Sequence, residues 1–372
     1  MRMKDFVVVQ VLALGAGILL IPAATQSQIG TLDARAIDKI LSGVAKGFQD
    51  ADSEDKVIKA RKRLIDEYRD AESRGAGYAF ARAAAEKLRP LLGKGLKADD
   101  PLRMVKIVNL AIALSNMPQA SIQPALGAMI AHKNPAVRFY GWAGYLEARR
   151  KVLGQGEEFA DTMIAAVEKT GDQEQSVAVL SGMFRTLDLG VAVPAGVSQK
   201  TWKQWRQRTL AALERNWNRW CGIIASGDKE MSVAFLPLIS VLQGHAAELE
   251  NDKEKIGPLV QMVYDAGWYA SWAYKNAGHG TSVANANGLL LRRWEEALNA
   301  MTGAKNNFVI TAVTKGPAPF GDAVRLAVIA NWLEALKEFK IAKPEEPTPK
   351  PVPATQPSPR STATAAPRPA KA

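Results

Sequence analysis

The sequence predicts an all-α fold built by stacking similar helical units, and three observations carry that expectation. From residue 30 onward apolar residues recur with the 3.6-residue period of an amphipathic helix, while the alternation of a half-buried strand is hard to find. A ten-residue sequence occurs twice: Gly171-Asp172-Gln173-Glu174-Gln175-Ser176-Val177-Ala178-Val179-Leu180 returns as Gly227-Asp228-Lys229-Glu230-Met231-Ser232-Val233-Ala234-Phe235-Leu236, with seven of ten positions identical at a spacing of 56. Each copy opens a helical stretch, as expected where similar units stack because none can bury its apolar face alone. Finally, Gly, Pro, Asn or Asp stands at almost every joint between helical stretches.

Thirteen helices are predicted in order. The first three, 33–51, 53–73 and 78–92, are parted by Asp52-Ser53 and by Gly75-Ala76-Gly77. Gly93 to Pro101 leads into 101–116, and Asn116-Met117-Pro118 into 121–132. Asn134-Pro135 opens 135–153, Gly154 and Gly156 precede 157–170, and Gly171-Asp172 starts 172–187. After a break come 199–225, 228–242, 252–276, 283–301 and 320–341, with Ser226-Gly227, Asn251-Asp252, Gly278 and Gly303 among the joints. Two stretches depart from the pattern. Phe308-Val309-Ile310-Thr311-Ala312-Val313 is β-branched but has no partner strand, so it reads as an extended loop packed on the helices. Residues 189–198, with Gly190, Pro194 and Gly196, read as a hinge between two helical halves that each hold one copy of the repeat.

The helical-repeat domain is expected to span 28–342. Ahead of it, Arg2 and Lys4, the apolar run from Phe6 to Ile21 and Pro22-Ala23-Ala24-Thr25 read as a signal peptide over 1–27, or as an N-terminal anchor if uncleaved. No second segment is apolar enough to span a bilayer. Behind it, residues 343–372 hold nine prolines among Lys, Glu, Thr, Ser and Ala, with Val352 the only sizeable apolar residue, and read as a disordered tail.

At 372 residues and 47% apolar content the chain can bury a sizeable core, which excludes disorder throughout. Its net charge of +11 includes +1 from the first 30 residues and +3 from the tail, leaving +7 on the body. That balance favours anionic partners mildly and does not demand nucleic acid. The lone Cys221 permits no internal disulfide and reads as a buried filler.

In the repeated decapeptide, Asp172 and Asp228 are expected to cap their helices, with Glu174 and Glu230 in the first turn, where the helix dipole favours negative charge. A second echo pairs Ala136-Val137-Arg138 and Leu146-Glu147-Ala148 with Ala323-Val324-Arg325 and Leu333-Glu334-Ala335 at identical internal spacing. Upstream of the first stand Ser121-Ile122-Gln123-Pro124-Ala125-Leu126, Met129-Ile130 and Asn134-Pro135. The pattern resembles the HEAT-repeat family over 121–153 and 321–336. The resemblance implies an α-solenoid used as a binding scaffold, in which Arg138 and Arg325 tie neighbouring repeats together.

Trp202, Trp205, Trp217 and Trp220 join Leu210 and Leu213 in one stripe of the 199–225 helix, so they are expected to be buried. Arg208, Arg215 and Arg219 project to the opposite face as a basic patch, a candidate partner-binding surface. Arg206, counted with them as a candidate partner-binding residue, falls inside the Trp stripe, where it either stacks on an indole or marks where the stripe becomes exposed. A second aromatic cluster, Tyr264, Trp268, Tyr269, Trp272 and Tyr274, runs into Asn276-Ala277-Gly278-His279-Gly280. Tyr269, Asn276 and His279 are the candidates there for proton transfer on a stacked sugar, against a plain i, i+4 core stripe.

No P-loop, Gly-x-Ser-x-Gly elbow, His-Glu-x-x-His or Cys–His nucleophile is present, and no catalytic residue or cofactor is implied. His132, His245 and His279 are too widely spaced to read as a metal set, and consecutive carboxylates such as Glu295-Glu296 point about 100° apart on a helix. The reading that follows is a noncatalytic exported scaffold, periplasmic or extracellular, that binds a protein or an anionic envelope polymer. Two others compete with it: a carbohydrate-active lyase or hydrolase on an α/α toroid, and a structural envelope protein tethered to the membrane by its N-terminal segment.

Overall fold

The computed structural model describes residues 32–346 except 155–156, 172, 191, 228, 250–251, 278–280 and 314–320. The segment 1–27, expected to be a signal, and the chain beyond 346 lie outside the described residues, as do Asp172 and Asp228, the expected helix caps. The described residues form fourteen α-helices and no strand: α1 (Ala34–Gln49), α2 (Glu54–Ser73), α3 (Gly77–Leu88), α4 (Arg103–Ser115), α5 (Gln123–Ile130), α6 (Pro135–Val152), α7 (Glu157–Thr170), α8 (Val177–Leu187), α9 (Gln199–Ala225), α10 (Lys229–Ala247), α11 (Lys253–Asn276), α12 (Ser282–Thr302), α13 (Phe308–Val313) and α14 (Asp322–Ala335). None of them is long and apolar enough to cross a membrane.

Side chains close several helix starts by accepting otherwise orphaned backbone N–H groups. Asp33 takes the Ala36 N–H at 2.6 Å, Asn134 that of Ala136 at 2.8 Å, Ser198 that of Thr201 at 3.0 Å and Thr281 that of Ala284 at 3.2 Å. At the end of α12, Gly303 adopts φ 72°, the left-handed conformation that stops a helix at little steric cost.

The packing is that of a two-layer stack. One layer runs α2, α4, α6, α8, α10, α12, and the other brings α1, α3 and α5, then α7, α9, α11 and α14, against it. Packed partners are neighbours or next neighbours in chain order, except where α14 returns to α11. Among the described residues no such pair joins the first helices to the last, and the stack is an α-solenoid. A single apolar core runs from Ile37 to Leu336 and passes through the 188–198 connection: Leu189 belongs to it, and α7 and α8 pack on α9 and α10 beyond.

The structure differs from the sequence reading in three places. The helix expected at 172–187 begins only at Val177. The N–H groups of Gln173 and Glu174 both return to the Thr170 carbonyl at 3.1 Å and finish α7. The Glu174 carboxylate then accepts the N–H groups of Gln175 and Ser176 at 3.0 and 2.8 Å while it holds Arg138 at two points, 2.6 and 2.9 Å. A charge-assisted bidentate pair outweighs one more turn of helix, so Glu174 sits outside the first turn of α8, whereas α10 in the second copy begins at Lys229. Residues 308–313, expected to be extended, form α13, whose Val309 N–H is taken by the buried Glu295 carboxylate at 2.7 Å. Residues 343–346, expected to be tail, lie against α11.

Arg138 and Arg325 both join elements. Arg138 ties α6 to the α7–α8 connection. Arg325 of α14, 1% exposed, stacks on Trp268 and Trp272 of α11 with its guanidinium carbon 4.7 and 5.1 Å from the two ring centres.

Candidate functional site

The four tryptophans of α9 are buried. Trp205 donates its indole N–H to Asp161 at 3.2 Å and Trp217 to the Met262 carbonyl at 2.8 Å, so the helix is stitched to α7 on one side and α11 on the other. Cys221 is buried beside them, and burial pushes its thiol well above the usual range, as suits a filler.

The arginines expected to form a solvated patch are for the most part engaged within the fold. Arg208 reaches α7, with Asp161 at 2.7 Å and Glu168 at 2.9 Å, and the Glu168 hydrogen bond holds its proton more firmly than usual. Arg219 donates to the carbonyls of Gly171 and Glu174 at 3.3 and 2.7 Å. Arg215 is exposed and forms no hydrogen bond or ion pair with a described residue. The shared face was legible from the helical projection. That α7 lies across it, bringing Asp161 and Glu168, was not.

Arg206 is buried, 5.9 Å from the centre of the Trp202 ring, and pairs with Glu248 at 2.6 Å. Its guanidinium also donates to the Gly190 carbonyl at 2.8 Å. It therefore pins the 188–198 connection onto α9.

Of the three residues expected to transfer protons, Tyr269 and Asn276 lie apart. Tyr269 is half-buried, and burial first, then the negative groups around it, holds its hydroxyl proton above the usual range. Asn276 is exposed and donates to the Trp272 carbonyl at 2.9 Å. The two sit seven residues apart on one helix, about 10 Å along its axis, and His279 lies outside the described residues. Among the described residues no group of three or more His, Cys, Asp or Glu could hold a metal ion.

A concavity lies elsewhere, where α6 ends and the 188–198 connection crosses it. It is a cleft of about 520 Å³ lined by Arg149, Lys151 and Leu153 on one wall and by Asp188, Leu189 and Pro194 on the other. Two glycines let its floor close. A Cβ on Gly154 would stand 2.3 Å from the Ala195 carbonyl oxygen, and one on Gly196, whose φ is +82°, would stand 2.7 Å from that of Gly154. The α6 terminus and the connection thus touch backbone to backbone. Gly154→Ala is expected to push them apart and cost about 1–3 kcal/mol, read as a lower urea midpoint.

Two cationic side chains and one carboxylate line the cleft. Arg149 donates to the Thr186 carbonyl at 3.1 Å, and Lys151 reaches Glu72 at 3.2 Å with half of its side chain exposed. Asp188, the carboxylate among the lining residues, is occupied by the Gly190 N–H at 3.0 Å. The sequence carried a signal for this site in the run Arg149-Arg150-Lys151, but not for the glycine contact that shapes it.

Behind Asp188, Leu189 and Gly190 lies a small cavity of about 50 Å³ that Arg206, Thr209, Ser240 and His245 also line. Burial, reinforced by Arg206, pushes the His245 imidazole down to about 3. The unfolded chain binds that proton near the usual 6.5 and the folded chain does not, so stability is full above that pH and falls as pH drops towards 3. Of the acid loss between pH 7 and 5, about 2 kcal/mol should vanish in His245→Gln, measured by urea denaturation at the two pH values.

No protein-family model matches the chain, and no curated protein or solved structure matches it either.

Proposed function

We propose that this chain is a noncatalytic helical scaffold of the HEAT-repeat kind, working outside the cytoplasm, and that it holds an anionic protein segment or envelope polymer in the cleft between α6 and the 188–198 connection. The observation that carries the reading is the pairing of shape with charge: a preformed cleft of about 520 Å³ with Arg149 and Lys151 on one wall. Arg149 and Lys151 outnumber Asp188 among the lining charges, and a guanidinium beside an ammonium suits a chain of carboxylates or phosphates. A solenoid serves this purpose well, because nearest-neighbour packing of its helices holds the walls in place.

Fluorescence anisotropy with labelled oligoglutamate and with polyphosphate tests the proposal. The Arg149→Glu/Lys151→Glu chain should bind at least tenfold more weakly than wild type and show a flatter salt dependence. Arg215→Glu, which changes charge on the exposed part of α9, should bind like wild type. Unchanged binding by the double variant, or an equal loss in Arg215→Glu, would refute the assignment to the cleft.

A further inference from the structure

After α14 the chain makes a 3-10 turn over Lys337–Phe339 and then runs extended along α11 as a strap of six residues, 341–346. Its recognition is mostly through backbone. One side chain, Gln261, grips both polar groups of Ala342: its carbonyl oxygen accepts the Ala342 N–H at 2.7 Å and its amide donates to the Ala342 carbonyl at 2.9 Å. Two helical turns on, the Trp268 indole donates to the Glu345 carbonyl at 3.3 Å. The two spacings agree. Seven helical residues rise about 10.5 Å, and three residues of an extended, polyproline-like chain rise about 9 Å. The far end is fixed by the buried Arg325, which stacks on Trp268 and Trp272 and meets Glu346 at 2.9 Å. Lys343 adds its ammonium 5.2 Å from the Trp268 ring centre.

Gln261, Trp268, Trp272 and Arg325 all belong to α11 and α14, so the groove is complete without the strap. What it reads is an extended backbone with a carboxylate at one end. The joint between groove and strap is Lys340, at φ 54°, the one described non-glycine residue with positive φ. A lysine adopts that conformation only at a steric cost, and an opened joint releases it.

We propose that this groove also receives the 341–346 strap of a second copy of the chain, so that two copies pair by exchanging straps about Lys340. Exchange of an identical element preserves every contact of the closed form and needs only a joint that can open. This pairing is independent of what occupies the cleft at α6.

Sedimentation velocity on full-length variants tests it. Lys340→Pro cannot adopt positive φ and opens the joint, so it should dimerise at least tenfold more readily than wild type, while Lys340→Gly, relieved of the cost of the closed turn, should remain monomeric. Placing Gln261→Leu in the Lys340→Pro chain damages the groove, and placing Ala342→Pro there removes the N–H that the groove reads. Each double variant alone should be monomeric, and an equal mixture should form a heterodimer, one supplying the strap and the other the groove. Circular dichroism confirms that each remains folded. A monomeric Lys340→Pro chain, a dimer that survives Gln261→Leu, or a mixture that forms no heterodimer would each overturn the proposal.

Discussion

Gly267→Ala should destabilise the protein by about 3 kcal/mol or more, at the upper end of what one added core methyl costs. α11 and α12 pack with the Trp294 indole laid directly on the Gly267 backbone, so a Cβ at position 267 would stand 2.1–2.3 Å from three atoms of that ring. The ring has nowhere to go. It is fully buried, with Tyr264 at 6.2 Å and Trp332 at 5.8 Å between ring centres. The two helices must separate, and the apolar contact that closes the C-terminal end of the stack loosens with them. Trp294→Leu introduced alongside Gly267→Ala should recover part of the loss, because it removes the clashing ring, whereas Trp294→Leu alone should destabilise by opening a cavity. Urea midpoints of the three variants check this. An unaltered midpoint in Gly267→Ala would mean that α11 and α12 do not approach this closely.

Glu295→Leu is the second substitution with a large expected effect. The Glu295 carboxylate is fully buried in α12, where it accepts the Val309 N–H at 2.7 Å and the Trp332 indole N–H at 3.2 Å. An apolar replacement leaves both donors buried without their acceptor, at about 1–3 kcal/mol each, and α13 loses the group that fixes its first turn. Glu295→Gln keeps a carbonyl acceptor and should cost less than half as much. Hydrogen exchange at the amides of 308–313 provides a local readout: it should accelerate strongly in Glu295→Leu and modestly in Glu295→Gln. Equal acceleration in the two would show that the hydrogen bonds are not what holds α13.

The helices that the sequence located best are those whose signals are local. The bounds of α7 and α9 follow from Glu157 and Glu158 in one first turn, Ser198 ahead of the other, and Gly171 and Gly227 close behind their ends. The Trp stripe of α9 was likewise readable, because a helical period alone says which side chains turn inward. Where the reading departed from the structure, a residue distant in the chain decided the outcome. Arg138 draws Glu174 out of a helix that its sequence could have formed, and Glu295 converts a β-branched run into a turn of helix. The face shared by Arg208, Arg215 and Arg219 could be projected, but Asp161 and Glu168 come from another helix. The cleft depends on Gly154 meeting Gly196, a contact with no local signature at either glycine.

If the stack presents its ligand surface where α6 meets the 188–198 connection, a hydrogen–deuterium exchange footprint of the full chain with and without saturating oligoglutamate tests it most directly. Protection confined to residues 149–154 and 188–198 is the expected result. Protection centred instead on the exposed part of α9 around Arg215, or on 269–276, would contradict it.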